Sequence, residues 1–111
     1  FVYSGDTTPS YFMVENGKGA DIMIHETFDR WQVMMDRAGY DERTARGVCT
    51  VAHSDPEEAG SVFALCQPRL AVGYHFYNDD ETLPGHLDAV RKSYGGPLVF
   101  ARDLMVFNVT K

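Results

Sequence analysis

The stretch ADIMIHETF, residues 20–28, joins a short apolar run to a histidine and a glutamate. Runs of this length without polar alternation are typical of a strand buried on both faces of a parallel sheet. We therefore predict a strand over residues 20–24, which places His25 and Glu26 at its carboxyl end. The apolar residues that follow have helical spacing until Gly39, so a helix is predicted directly after the strand.

The segments on both sides of this stretch continue the alternation of apolar strands with amphipathic helices. Residues 40–50 are polar and partly basic, and they are interpreted as a loop or a frayed helix. The resulting order is strand, helix, strand, helix, helix, strand, helix, strand, which indicates an α/β layer architecture. The other predicted strands cover residues 1–4, 69–76 and 98–109, the last as one strand or two, and the other predicted helices cover 11–14, 56–66 and 83–94.

The helix near residue 56 has the clearest start signal, in the sequence HSDPEE. Either Ser54 or Asp55 can cap this helix, and Pro56 suits its first position. Glu58 can then complete a capping box with the cap residue. We therefore expect a well-defined loop before this helix.

The composition is that of an ordinary globular protein: of 111 residues, 44% are hydrophobic and 23% are charged, which argues against disorder. No apolar run approaches the roughly 20 residues of a membrane span. Cys49 and Cys66 match no CxxC spacing and are interpreted as reduced structural thiols, which are usual in a reducing compartment. We therefore expect a soluble, cytoplasmic protein without a membrane partner, although a leader could precede Phe1.

Titratable side chains stand at the predicted strand ends, where parallel sheets collect their functional groups. Asp6 follows the first strand, and His25 and Glu26 follow the second. His75 lies at the end of the third strand, and His53 comes just before a helix. Residues of these types converging from separate loops are what a metal site or an acid/base site requires.

Each of these residues also has a structural interpretation. An aspartate after a glycine, as at Asp6, is typical of a turn that bonds its own backbone. Glu26 would then belong to the cap region of the next helix, and His53 to the surface. His25 and His75 have apolar and aromatic neighbours, which are typical of core histidines. The combined pattern, rather than any single residue, favours a site.

Four motifs in one order carry a resemblance to a known family. They are SGDT at residues 4–7, ADIMIHETF at 20–28, AHSDPEEAG at 52–60 and YHF at 74–76. This pattern resembles the C-terminal half of the metallo-β-lactamase superfamily, in the branch of ribonuclease Z and related phosphodiesterases and arylsulfatases. The resemblance covers nearly the whole chain and implies an α/β fold that is the C-terminal half of a four-layer αβ/βα sandwich. It also implies an N-terminal half, with an HxHxDH motif, that residues 1–111 do not contain.

The resemblance implies a role for four residues. Asp6 looks like the aspartate that bridges two metal ions, and His75 like the last histidine ligand of the second ion. His53 is similar to the histidine that protonates the leaving group, and Glu26 to its carboxylate partner. For His25 no role is implied. The implied cofactors are two divalent metal ions, with Zn²⁺ favoured and Mn²⁺ as the alternative.

The chain is predicted to form part of a dinuclear metal-dependent hydrolase. The hydrolase would be active only when the N-terminal half of the fold is present. Metal-bound hydroxide would attack a phosphodiester, a sulfate ester, a lactone or a lactam. The alternative is a non-catalytic binding or interaction module that retains the half-fold. The expected partners are the N-terminal half, in the same precursor or a second chain, and further copies in a homo-oligomer.

Two departures from the ribonuclease Z pattern bear on the substrate. Asp79 and Asp80 follow the YHF motif, where the resemblance leads us to expect a base. The net charge is −6, and the sequence contains no cluster of Lys and Arg. The basic surface typical of a nucleic-acid-binding protein is therefore not indicated. A small-molecule substrate is therefore favoured over RNA.

Overall fold

A computed structural model of the chain describes residues 1–110. Within that range no helix is both long enough and apolar enough to cross a membrane. Residues 1–110 form four strands and five helices, and three of the helices follow one another between the second and third strands. The strands are β1 (Val2–Tyr3), β2 (Ile22–Glu26), β3 (Leu70–Tyr74) and β4 (Leu98–Phe100), and the helices are α1 (Tyr11–Gly17), α2 (Trp31–Ala38), α3 (Glu42–Val51), α4 (Pro56–Cys66) and α5 (Leu83–Arg91).

The strands form one parallel sheet in the order β1-β2-β3-β4, which is also their order along the chain. Tyr3 pairs with Ile24, Ile24 with Val72, and Val72 with Val99, so one row of residues crosses the whole sheet. Because all strands run in the same direction, their carboxyl ends meet at a single edge. The predicted α/β architecture is confirmed.

The main core lies between one face of the sheet and α1, α4 and α5. Met23 and Ala71 are register partners in β2 and β3, and both are fully buried against these helices. Helices α4 and α5 approach closely at Gly60, where an added Cβ would lie 2.8 Å from the Val90 carbonyl oxygen. The buried members of this core are Met23, Ala59, Val62, Phe63, Cys66, Ala71, Val90 and Tyr94.

A second, smaller cluster joins α2 to α3 beyond the carboxyl end of β2. Phe28, Met34, Ala45 and Cys49 are its buried members. On its outer side the Arg46 guanidinium lies over the Trp31 ring, 3.7 Å from the ring centroid. The α2–α3 pair is therefore a helical hairpin with its own apolar contacts.

All helices but α4 differ from the prediction: α1 covers residues 11–17 instead of 11–14, and α5 covers 83–91 instead of 83–94. Residues 42–51, interpreted as a loop or a frayed helix, form the full helix α3, which Asp41 caps by accepting a hydrogen bond from the Thr44 N–H at 3.0 Å. Helix α2 begins at Trp31 rather than at Phe28, because Arg30 is still extended, with a φ of −66° and a ψ of 153°. The capping box of α4, formed by Asp55 and Glu58, is present as predicted.

The strand predicted over residues 98–109 is much shorter than expected. Only Leu98–Phe100 pairs with β3. A turn follows at once, in which the Met105 N–H donates to the Arg102 carbonyl at 3.1 Å and Leu104 adopts a φ of 63°. This left-handed residue interrupts the extended conformation that a continuous strand needs.

Candidate metal centre

Four side chains meet at the edge where the strands end: Asp6, Glu26, His53 and His75. One potential ligand atom from each lies within 4.8 Å of the corresponding atoms of the others. Asp6 lies in the turn after β1, Glu26 ends β2, His75 directly follows β3, and His53 lies between α3 and α4. The structure thus brings together the four residues singled out in the sequence, and we call them the quartet.

Glu26 lies at the centre of the quartet and is fully buried. The Thr7 and Ser54 N–H groups donate to its Oε1 at 2.5 and 3.3 Å. Its Oε2 lies 2.8 Å from Nδ1 of His53 and 3.3 Å from Nδ1 of His75. Because buried carboxylates are tolerated when they are hydrogen-bonded, these four contacts explain how Glu26 can lie in the interior.

His53 is held between Glu26 and an aromatic ring. Its imidazole stacks on Phe28 with ring centroids 3.8 Å apart and an angle of 10° between the planes. Since Nδ1 faces Glu26, the nitrogen that remains available is Nε2. Only 11% of the His53 side chain is exposed. The ring is therefore fixed in orientation, as a group that transfers protons must be.

His75 and Asp6 form the open side of the quartet. Nδ1 of His75 lies 3.2 Å from Oδ1 of Asp6, and the two side chains are 38% and 62% exposed. His75 has a φ of 64°, a left-handed conformation that is unusual for any residue with a side chain. Such conformations persist only where the surroundings impose them, and they cluster at functional sites.

The loops that carry the quartet are tied to one another by small hydroxyl side chains. The Glu26 N–H donates to Oγ of Ser4 at 3.1 Å, which joins β2 to the turn after β1. The Ser54 hydroxyl donates to the Thr7 carbonyl at 2.6 Å, which joins that turn to the start of α4. The motifs SGDT and HSDP therefore bond to each other as well as to Glu26.

Comparison with known proteins supports the resemblance seen in the sequence. No protein-family model matches the chain. A ribonuclease Z from Ignicoccus hospitalis is 30% identical over 110 residues, which is 99% of this chain and 31% of the relative. The crystal structure of the metallo-β-lactamase fold protein YhfI from Bacillus subtilis matches with a TM-score of 0.61 and 16% identity over 90% of this chain and 36% of that one. The resemblance to the ribonuclease Z-like branch of the metallo-β-lactamase superfamily is confirmed.

The chain therefore spans about a third of the length of the curated relative that it matches. Its fold is a fragment of the metallo-β-lactamase fold, and its α/β class agrees with the prediction. The likeness to YhfI concerns the fold alone. The roles of the quartet stay predictions.

The donor set of the quartet fits the divalent ions that this fold generally binds. Two imidazoles and two carboxylates are ligands that Zn²⁺ and Mn²⁺ accept. Glu26 already accepts hydrogen bonds from two N–H groups and faces both histidines, which leaves Asp6 and His75 as the freer donors. A structural zinc site uses about four ligands, so these two residues would hold one side of a site and need further donors.

His25 does not join the quartet, although it precedes Glu26 in the sequence. Its ring points to the main core, where it contacts Phe63 edge-on with a centroid distance of 6.1 Å. Nδ1 lies 2.8 Å from the Glu26 carbonyl oxygen. Burial lowers the pKa of His25 because the charged form is poorly solvated there. This environment is that of a core histidine in this metallo-β-lactamase-fold chain.

The sequence analysis missed Asp29. Its side chain is 2% exposed, and its Oδ2 accepts a hydrogen bond from the Tyr77 N–H at 2.7 Å. Its Oδ1 lies 3.7 Å from Nε2 of the buried His86. Burial raises the pKa of Asp29. Asp29 thus connects the segment after Glu26 to the loop that carries His75. The signal for it in the sequence was an acidic residue five positions after the predicted strand end.

Proposed function

We propose that this chain supplies one side of a dinuclear metal centre in a hydrolase that acts on an ester-type substrate. The observation that carries the proposal is the meeting of Asp6, Glu26, His53 and His75 within 4.8 Å at the carboxyl edge of a parallel sheet. Relatives with a hydrolase name and a metallo-β-lactamase fold support it.

Asp6 and His75 are the residues that would hold the ions. A carboxylate has two oxygens and can contact two cations at once, whereas an amide would supply one neutral oxygen. When bound, such ions lower the pKa of water and offset the charge that develops at the reacting group. Imidazole and carboxylate together favour Zn²⁺, with Mn²⁺ as the alternative.

His53 would donate a proton to the departing oxygen from Nε2. Glu26 would keep the ring in place, since its Oε2 lies 2.8 Å from Nδ1. The stacked Phe28 ring limits rotation of the imidazole. Geometry and charge therefore suit His53 to the role of general acid.

The remaining ligands would come from the N-terminal half of the fold, packed on the second face of the sheet. That face carries Tyr3, Ile24 and Val99, which are exposed or only partly buried, and Val72, which is fully buried. It lies opposite the face that α1, α4 and α5 cover, because neighbouring residues along a strand point to opposite faces. We propose this face as the contact with the rest of the fold.

The substrate would be small rather than RNA. The relative from Ignicoccus hospitalis is a ribonuclease by name, whereas here Asp79, Asp80 and Glu81 follow the loop of His75. Arg37 pairs with Asp79 and Glu81, so three carboxylates and one guanidinium leave this loop and its partner with a net charge of −2. Acidic side chains repel a phosphate backbone, and the chain has a net charge of −6. A small phosphodiester or sulfate ester carries a single negative charge, and a lactone or lactam carries none, so each is repelled less than the polyanionic backbone of RNA.

Metal analysis of the intact protein tests the proposal. We expect close to two Zn²⁺ or Mn²⁺ ions per copy, and a lower content in Asp6→Ala and in His75→Ala. Asp88→Ala, an exposed aspartate on α5, is the matched control and should keep the full content. Intact protein that is folded and free of metal would contradict the proposal and favour a binding module.

A further inference from the structure

The short segment that follows β2 bonds to the chain on both sides of His75. The Thr27 N–H and hydroxyl donate to the Tyr74 carbonyl at 2.8 and 3.1 Å, just before His75. Two residues after His75, the Tyr77 N–H donates to Oδ2 of Asp29 at 2.7 Å. Residues 27–29 therefore hold the backbone of His75 from both ends.

The side chains that make these bonds are shielded from water. Thr27 is fully buried, and only 2% of Asp29 is exposed. Water therefore does not compete for the Tyr77 N–H, and it would not readily replace the carboxylate if that were removed. A buried donor that loses its acceptor is costly, so the bond from Tyr77 to Asp29 constrains the loop strongly.

His86 of α5 supports the same arrangement from the other side. Its Nε2 lies 2.9 Å from the Thr27 carbonyl oxygen and 3.7 Å from Oδ1 of Asp29. Its ring stacks on Phe76, the residue next to His75, with ring centroids 4.4 Å apart and an angle of 25° between the planes. Asp29 and His86 thus hold the two residues that follow His75.

These contacts account for the left-handed conformation of His75, whose φ is 64°. A residue with a side chain keeps this conformation only where its surroundings impose it. Nδ1 of His75 lies 3.2 Å from Asp6 and 3.3 Å from Glu26. The backbone bonds on either side of His75 are shorter, at 2.7 to 3.1 Å, and they act directly on the main chain.

We propose that Asp29 is a positioning residue, which holds the Tyr77 N–H so that His75 stays left-handed with its imidazole in the quartet. The part of this proposal that concerns metal rests on the proposed function. A metal site requires its ligands to be in place within about 0.5 Å. A return of His75 to negative φ would reorient its Cα–Cβ bond and carry the imidazole away from Asp6.

The Zn²⁺ affinity of the intact protein, measured by competition with a chelator, tests this role. Asp29→Ala should bind Zn²⁺ roughly 10- to 100-fold more weakly, which is the usual loss when the support of a metal ligand is removed. Asp29→Asn keeps an oxygen for the Tyr77 N–H and should recover most of the affinity. Asp29→Leu removes the acceptor but fills the space, so it should show the loss even where Asp29→Ala does not fold.

Gly60→Ala is the matched control for a general loss of stability. It disturbs the contact between α4 and α5 and leaves residues 27–29 unchanged, so its Zn²⁺ affinity should equal that of the wild type. Equal weakening in Gly60→Ala and Asp29→Ala would overturn the proposal, because the effect would then be one of stability. Wild-type affinity in Asp29→Ala and Asp29→Leu would overturn it as well.

An NMR measurement on the same proteins, after treatment with a chelator, separates this proposal from the proposed function. The amide and α protons of a residue lie closer together at positive φ than at negative φ. The NOE between these two protons of His75 should therefore be strong in wild type and Asp29→Asn, and weak in Asp29→Ala and Asp29→Leu. A strong NOE in all four proteins would contradict the role of Asp29, even in protein that binds two ions. A weak NOE confined to the Ala and Leu variants of a protein that binds no Zn²⁺ would contradict the proposed function and support the hold of Asp29 on His75.

Discussion

At the scale of single residues, Glu26 determines how the site is arranged. It is fully buried, and its two oxygens contact two backbone N–H groups and two imidazoles. A neutral glutamine at this position could not accept hydrogen bonds from all four of these groups, because its amide nitrogen can only donate. The charge and the shape of Glu26 are therefore both required for the orientation of His53.

The first prediction concerns His53. His53→Ala should lower kcat roughly 10²- to 10⁴-fold for substrates with poor leaving groups, because the proton donor is lost, while the metal content stays constant. Glu26→Gln should lower kcat in the same direction and add little to His53→Ala, since the two act as a unit. Rates for a series of leaving groups of graded acidity check this, and an equal loss for good and poor leaving groups would show a structural role.

The second prediction concerns Asp29. Asp29→Ala leaves the Tyr77 N–H without its acceptor and should lower the free energy of unfolding by about 1–3 kcal/mol. Asp29→Asn keeps an oxygen in place and should lose less. Urea denaturation of the intact protein measures both. Equal losses in the two variants would mean that the charge, and not the hydrogen bond, matters.

The stability difference between wild type and Asp29→Asn should also depend on pH, with a definite sign. Because burial raises the pKa of Asp29 above its ordinary value of 3.8, the folded state binds this proton more readily than the unfolded chain. The contribution of Asp29 to stability is therefore present below that value and is lost as pH rises through the folded pKa. Relative to wild type, Asp29→Asn should become more stable as pH rises from 3.8 towards neutrality.

At this scale the sequence indicated which residues meet, but it did not indicate how. Asp6, Glu26, His53 and His75 stood at strand ends and in family motifs, so their convergence could be predicted. That Glu26 is fully buried could not, because its burial depends on N–H groups of Thr7 and Ser54 that tertiary structure brings to it. The sequence likewise carried no sign of the left-handed His75, whose conformation its surroundings impose.

At the scale of helices and strands, two glycines inside helices differ in the space around them. Close packing requires glycine at Gly60 but not at Gly47. Gly60 faces the backbone of α5, where an added methyl group would approach the Val90 carbonyl oxygen to 2.8 Å. Gly47 lies within α3, and a methyl group there would meet nothing within 4 Å. Alanine is the better helix former at both positions when packing is left aside.

The third prediction follows from this contrast. Gly60→Ala should lower the free energy of unfolding by about 1–3 kcal/mol, because α4 and α5 must separate to admit the methyl group. Gly47→Ala should raise it by about 0.5–1 kcal/mol. Thermal or urea denaturation of the two variants measures the difference, and stabilisation by Gly60→Ala would contradict the close contact between α4 and α5.

Helix α3 shows why element prediction was incomplete. Its sequence is polar and partly basic, so no broad apolar stripe is visible, yet Ala45 and Cys49 are four residues apart and form one narrow buried face. The partner of that face is α2, which a reading of α3 alone does not reveal. The capping box of α4, in contrast, is entirely local and was predicted correctly.

At the scale of the whole molecule, two apolar clusters give the chain two regions of different size. Cys66 lies in the main core and Cys49 in the smaller cluster of the α2–α3 hairpin. Both thiols are free and buried, and burial raises the pKa of each. Each cysteine therefore reports on the opening of its own region.

The fourth prediction uses these thiols. Under native conditions both should react slowly with a maleimide, with Cys49 ahead of Cys66, because the smaller cluster opens at a lower free energy. Labelling in denaturant, where the two should react at similar rates, is the control. Mass spectrometry of peptides separates the two sites, and faster labelling of Cys66 in native protein would contradict the order of the two clusters.

Architecture at this scale was the part best predicted from sequence. Apolar strands that alternate with amphipathic helices indicate a parallel sheet without knowledge of any contact. The second face of the sheet, with Tyr3 and Ile24, could be recognised only once the register was known. What covers that face lies beyond residues 1–111 in the proposal made above, so these residues could not have identified it.

The strands lie side by side in the order in which they are synthesised. A nascent polypeptide can therefore add each strand to an edge that already exists, since no later strand has to be inserted between two earlier ones. Asp6, Glu26 and His53 leave the ribosome before His75 does. Every newly made copy thus passes through a moment in which three members of the quartet exist without the fourth, and the last of them to be translated completes the set.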